Sequence, residues 1–307
     1  MTAGDEDELA RLVGELTEST LALAALAAAL RHHDSGVVLD DRHGRVLAAI
    51  GLAAPAADGW RLTPAAASVA GRAGREYAAR FTATLRWAAA AAEGRVDWAE
   101  QDPATTAALA RGSSPAGRLF VEVLAPRLGD LAERLAAADA AALDVGTGVG
   151  EIAVALAEAA PSLHVVGIDV LDDVLAVARA RVAERGLADR VVLRHQDVAT
   201  LADVEAFDLA YLPAYFVPED AVLAALRRIR AALRPGGWIL VPVREPAGSE
   251  LSRVATSWQH PRCAVWTAQV TERRLLGAGF GDVHSIVVSA LAPTIVAGSR
   301  RPVPGGR

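Results

Sequence analysis

Ala142-Leu-Asp-Val-Gly-Thr-Gly-Val-Gly-Glu151 decides how this chain is read. An apolar run ends at Asp144, glycines take alternate positions at Gly146, Gly148 and Gly150, and a helical pattern begins at once. Without a Cβ in the way, a glycine loop between a buried strand and a helix lets the backbone approach a ligand closely. The spacing is not the G-x-G-x-x-G of a dinucleotide fold, because the position three after Gly148 holds Glu151. Alone, such a loop is a weak signal, since glycines in a strand-to-helix turn can be purely structural.

Downstream, strands and helices alternate. Apolar runs at 164–168, 191–194, 207–212 and 238–243 read as strands, separated by helical patterns at 171–185 and 219–233. Arg234-Pro-Gly-Gly237 reads as a sharp turn into the fifth strand, and a helix at 271–278 precedes two β-like runs, 283–288 and 293–297. Alternation of this kind predicts a parallel sheet covered by helices. Asp169 ends the second strand, where an acid in a doubly wound fold accepts hydrogen bonds from ribose hydroxyls. Gln196-Asp197-Val198 follows the third strand, where a side chain and a backbone N–H can read an adenine edge.

Upstream, the pattern is helical. Residues 8–33 and 40–52 read as helices, Trp60-Arg-Leu-Thr-Pro64 as a short strand leading into a helix capped by Thr63, and 75–92 as a further helix. Tyr77, Phe81 and Leu85 lie on one face of the last, which suits core packing or a substrate pocket. Turn-forming residues at 101–115 read as a connector, followed by a helix over 118–135. The domains expected are therefore 1–115, mainly helical with its linker, and 116–307.

Composition excludes several classes. Against 31 Lys and Arg stand 37 Asp and Glu, a net charge of −6 that opposes general nucleic-acid binding. One cysteine, Cys263, rules out an internal disulfide and a multi-cysteine metal site, so no metal is expected. The acidic start is unlike a signal peptide, and the longest apolar run, 21–30, is about half a membrane span. No membrane partner and a cytoplasmic location are expected.

Leu143-Asp-Val-Gly-Thr-Gly-Val-Gly150, Gly167-Ile-Asp169, Gln196-Asp-Val198, Phe207-Asp208 and Leu233-Arg-Pro-Gly-Gly237, in that order, resemble the class I S-adenosylmethionine-dependent methyltransferases. The resemblance covers about residues 118–307. It implies an α/β, doubly wound, Rossmann-like sheet of seven strands, the last antiparallel. It also implies S-adenosyl-L-methionine as cofactor. Asp144 with the backbone around Gly146 would hold the methionine amino and carboxylate groups, Asp169 the ribose hydroxyls, and Asp197 with Val198 the adenine, with Gly148, Gly150, Val170, Gln196 and Leu212 as further cofactor-binding candidates.

Gly59-Trp-Arg-Leu-Thr-Pro64 is similar to the wing of the helical domain that precedes many small-molecule O-methyltransferases. In those enzymes that domain dimerises and roofs the substrate pocket, which implies a homodimer here, although no full helix-turn-helix precedes the wing. The loop after the fifth strand lacks the His-rich motif of plant-type O-methyltransferases, so His260 is the nearest candidate base. Tyr215 and Glu219 lie where the family's acceptor meets the methyl group, although an acid such as Glu219 also suits a helix start electrostatically. His32 and His33 are further candidates.

The expected activity is methylation of a small aromatic or heteroaromatic secondary metabolite, at oxygen in preference to nitrogen or carbon. A nucleic-acid or protein methyltransferase is opposed by the acidic balance and by the absence of an Asn-Pro-Pro-Tyr-type motif after the fourth strand. A non-catalytic metabolite-binding regulator of the same fold is the remaining alternative.

Overall fold

The computed structural model describes residues 3–31, 38–111, 113, 115–243, 254–255, 257–258, 261–288 and 293–301. The chain packs as two compact units, 1–93 with 104–112, and 94–103 with 113–307. Residues 94–103, expected in the first domain, therefore belong with the second unit.

The first unit contains α1 (Ala3–Arg31), α2 (Asp41–Ala49), a hairpin of β1 (Ala53–Ala56) and β2 (Gly59–Leu62), α3 (Pro64–Ala92) and most of α4 (Pro103–Arg111). Asp40 caps α2 by accepting from the His43 N–H at 2.9 Å. Trp60 lies so close over Gly44 that any Cβ there would overlap its ring, and its Nε1 donates to Asp41 at 3.0 Å. Helix and hairpin are thereby locked together. Helix α3 runs unbroken through Gly71 and Gly74, where two helical stretches were expected. A Cβ on Gly74 would sit 3.5 Å from the Leu30 carbonyl oxygen, an ordinary contact, which places that face of α3 against α1. Tyr77 and Phe81 pack on the Leu30, Leu47 and Leu62 core, which favours the core-packing reading of that stripe. Residues 6–31 are long and apolar enough to cross a membrane by length and composition, a weak indication for a helix whose second half is partly buried here.

The second unit is a seven-stranded sheet. Its strands are β3 (Ala141–Val145), β4 (His164–Asp169), β5 (Val191–His195), β6 (Phe207–Tyr211), β7 (Leu233–Val243), β8 (Gly281–Ile286) and β9 (Thr294–Ser299), in spatial order β5-β4-β3-β6-β7-β9-β8. Strands β3 to β7 pair in parallel, and β9 runs antiparallel to both β7 and β8. The sheet is covered by α5 (Pro115–Arg118), α6 (Leu131–Ala136), α7 (Glu151–Ala159), α8 (Asp172–Glu184), α9 (Glu219–Ala232) and α10 (Ala268–Gly277). Leu143, Leu209 and Ile239 are wholly buried, as expected of parallel strands covered on both faces.

Two stretches differ from expectation. The single helix expected over 118–135 is instead α5, a wide π turn at Leu119–Leu124, a 3-10 turn at Ala125–Arg127, and α6. Pro126 lacks an N–H and Gly129 takes φ 60°, so the helix cannot continue. Arg234-Pro-Gly-Gly237 forms a bulge inside β7, since pairing jumps from Phe207↔Leu233 to Leu209↔Trp238.

Candidate active site

Two parallel strands deliver the site. Asp144 and Gly167 are register partners, as are Val145 and Ile168, so the loop after β3 lies beside the end of β4. The reversal of strand order falls between β4 and β6, on either side of β3, where doubly wound sheets open a crevice.

Gly146, Gly148 and Gly150 take φ of 64°, 55° and 78°, left-handed values that other residues rarely adopt. A Cβ on Gly148 would meet only the Gly146 carbonyl oxygen at 4.0 Å, so the outer side of the loop is open. The Thr147 N–H donates to the Ile168 carbonyl at 3.0 Å, and the Gly148 N–H donates to Asp169 Oδ2 at 2.8 Å. Asp169 Oδ1 accepts from the Leu171 N–H at 3.0 Å. Each carboxylate oxygen keeps a second lone pair, enough to accept from a diol. Burial pushes the Asp169 carboxyl above its ordinary range, against the pull of these backbone donors.

Asp144 sits deeper than its expected role requires. It is 1% exposed, and its Oδ2 accepts from the Thr147 hydroxyl at 2.6 Å. Desolvation raises its carboxyl to about 7, with the Asp169 charge adding to the rise. The acid therefore shapes the glycine loop from beneath. Thr147 went unnoticed in the sequence, where a hydroxyl between two glycines was the available signal. A Cβ on Gly167 would lie 2.7 Å from the Thr147 hydroxyl, so a glycine is needed there too.

Glu151, the residue that breaks the dinucleotide pattern, is buried at the first turn of α7 and paired with Arg181 of α8. Val170 projects as an exposed apolar side chain beside Asp169. The Gln196 N–H donates to the Asp169 carbonyl at 2.8 Å. Asp197 is exposed and caps a short turn through the Ala199 N–H at 2.8 Å, while Val198 is buried. Leu212 is wholly buried and its N–H donates to Leu240, so its side chain is core.

These features belong to one established family of folds. Residues 142–237 match the model of the family described as "Methyltransferase domain". Over that span the chain is similar to methyltransferase domains. The demethylmenaquinone methyltransferase of Thermus thermophilus is 36% identical over 105 residues, which is 32% of this chain and 44% of that protein. The chain spans about half or less of the curated relatives it matches. The apo structure of the S-adenosylmethionine-dependent methyltransferase SibL is similar over 96% of this chain and all of that one, with a TM-score of 0.63 at 22% identity. The mitomycin 7-O-methyltransferase MmcR is similar over 97% of this chain and all of that one, with a TM-score of 0.60 at 17% identity.

Past β6, the chain turns tightly at Pro213, with φ −76° and ψ 73° and the Ala214 N–H donating to Leu212 at 2.9 Å. Tyr215 is buried edge-on to Phe216 at 4.4 Å, and Trp98 stacks edge-on to Phe216 at 5.0 Å. Val217 follows and lies against Gly146, which sets this aromatic group next to the glycine loop. Glu219 is engaged elsewhere. Its Oε1 accepts from Trp266 Nε1 at 2.9 Å and lies 4.0 Å from Arg274 Nη2. Backbone pairing of 217–219 with 262–264 supports that tether. Cys263 lies in the same segment, and burial raises its thiol to about 11, leaving it unreactive. His32, His33 and His260 lie outside the described residues.

Proposed function

We propose that the chain transfers a methyl group from S-adenosylmethionine to a small aromatic or heteroaromatic acceptor, at oxygen in preference to nitrogen or carbon. The observation that carries this is the Gly148–Asp169 hydrogen bond. It joins an open glycine loop to an acid at the end of β4, the pairing a nucleoside with a charged tail would use. The full-length likeness to SibL and to a mitomycin 7-O-methyltransferase supports a small acceptor and a role in secondary metabolism.

In this reading Asp169 accepts the ribose hydroxyls, Val170 covers one adenine face, and Asp197 with the Val198 N–H meets the adenine edge. The open side of the glycine loop lies along the methionine end, and Asp144 beneath it offsets the ammonium group. When bound, the sulfonium supplies an activated methyl, so the chain's own task is alignment and exclusion of water. Tyr215, Phe216 and Trp98, packed edge to face, supply an aromatic wall for an aromatic acceptor. His260 remains the candidate base for a hydroxyl acceptor, and Glu219 is assigned to anchoring α9.

The first unit is assigned self-association as a homodimer, supported by exposed Leu9, Leu12, Val13 and Leu16 on α1. Sedimentation of Leu12→Glu/Leu16→Glu tests this, and a wild-type monomer at all concentrations would remove it. For the activity itself, the chain is incubated with methyl-labelled S-adenosylmethionine and a panel of phenols, hydroxyquinones and indoles. Label in an acceptor that gains one methyl supports the proposal. Cofactor binding with no acceptor methylated across the panel would favour the regulator reading, and absence of cofactor binding would sink both.

A further inference from the structure

His195 ends β5 and is the register partner of Asp169 on β4. Its ring lies against the turn that leaves β4. Nε2 is 3.0 Å from the Val170 carbonyl oxygen, and Nδ1 is 3.4 Å from Asp172 Oδ2 at the start of α8. A carbonyl oxygen only accepts, so Nε2 carries a proton. A neutral ring protonated there turns a bare lone pair toward the Asp172 carboxylate. The imidazolium donates on both sides, and only that form satisfies both neighbours.

The other charged groups around the ring are few. Asp169 feels the His195 charge from β4, which lowers its carboxyl against burial. Arg194 on the same strand directs its guanidinium to Asp203, with contacts of 3.0 and 3.1 Å. The turn that His195 holds carries Val170, whose apolar side chain is 55% exposed next to Asp169 in the chain.

We infer that His195 is a positioning residue for the adenosine end of the cofactor, clamping the Val170 carbonyl and Asp172 so that the turn beyond Asp169 is fixed before ligand arrives. It touches neither the reacting atoms nor, by its bonds, the ligand. The inference rests on the cofactor reading above. A charged ring adds an ion pair with Asp172 to the Val170 contact, so the clamp is tighter with the imidazolium than with the neutral ring.

Isothermal titration at about pH 6 and about pH 8, with S-adenosylmethionine and separately with S-adenosylhomocysteine, tests it. Both ligands share the adenosine end, and only the first carries the sulfonium. His195→Leu is expected to weaken both ligands alike, by about threefold to tenfold, and more at the lower pH. His195→Gln keeps an N–H for the Val170 carbonyl, and is expected to bind within about threefold of wild type at the higher pH while losing the gain at the lower. The difference between wild type and His195→Gln at each pH removes the contribution of other titrating groups such as Asp144. Thermal melts verify folding, and His195→Gln carries the test if His195→Leu does not fold. The inference is overturned if His195→Leu matches wild type at both pH values, if only the sulfonium ligand is affected, or if His195→Gln keeps the wild-type pH dependence. Wild type binding neither ligand would instead overturn the cofactor reading, and this inference with it.

Discussion

Asp169 at the end of β4 and Gly148 in the loop after β3 are joined by a 2.8 Å hydrogen bond from backbone N–H to carboxylate. The loop and the acid therefore form one rigid object, and a change in either moves both. Asp169→Asn keeps the shape but presents an amide N–H to one of the two backbone donors, Gly148 or Leu171. A loss of about 1–2 kcal/mol in urea denaturation is expected, with S-adenosylmethionine affinity down at least roughly tenfold by calorimetry. Unchanged affinity would remove Asp169 from the site.

Asp144 predicts a pH dependence of stability. Its carboxyl is raised by burial from 3.8 to about 7, so the folded chain holds a proton that the unfolded chain has released between those values. Stability should therefore fall as pH rises from about 4 to about 7 and then level off, with the Asp169 rise adding to it. Asp144→Asn should match wild type at about pH 4 and exceed it by about 4 kcal/mol at about pH 8. A variant less stable than wild type at the higher pH would show that this carboxylate is not strained by burial.

Glu151 and Arg181 make a further test. Their side chains are 9% and 20% exposed, and removing one partner strands the other charge. Glu151→Gly restores the dinucleotide spacing yet should cost about 3 kcal/mol in chemical denaturation. It should gain no affinity for NAD by calorimetry, because Asp169, Val170 and the loop are unaltered. NAD binding by that variant would mean that one glycine selects the ligand.

Gly167→Ala places a methyl 2.7 Å from the Thr147 hydroxyl and 2.8 Å from Leu193 Cδ2. Overpacking of this kind costs about 1–3 kcal/mol. Because Thr147 also bonds Asp144, cofactor affinity should fall with stability, as calorimetry and thermal melts on one sample would reveal. Loss of stability alone would uncouple Thr147 from ligand binding.

Glu219→Gln separates anchoring from proton transfer. An amide oxygen still accepts from Trp266 Nε1, while the charge facing Arg274 is lost. Stability should change by less than about 1 kcal/mol, with turnover within a few-fold of wild type. A collapse of kcat with binding intact would return Glu219 to the chemistry.

Strands β3 to β7 were legible because strands covered on both faces become near-continuous apolar runs, and Asp144 and Asp169 mark where two of them end. What the sequence hid was local. Gly71 and Gly74 look like helix breakers, yet α3 runs through both without a break. Gly236 looks like a turn, yet its N–H donates to the Arg300 carbonyl and the strand continues around it. At the site, residue types could be read but depth could not. Asp144 lies beneath the loop, and Glu219 is tied to Trp266, 47 positions away in sequence.

The sheet is completed out of order. β9, the last strand, lies between β7 and β8, so β8 is made before the only strand it pairs with among the described residues. During synthesis the glycine loop, Asp169 and His195 all emerge while that edge still lacks its neighbour. A nascent chain can thus assemble its ligand-binding half first and leave β8 an open template until β9 arrives. Stalling or clipping within that interval would yield a species with an intact binding half and an aggregation-prone edge.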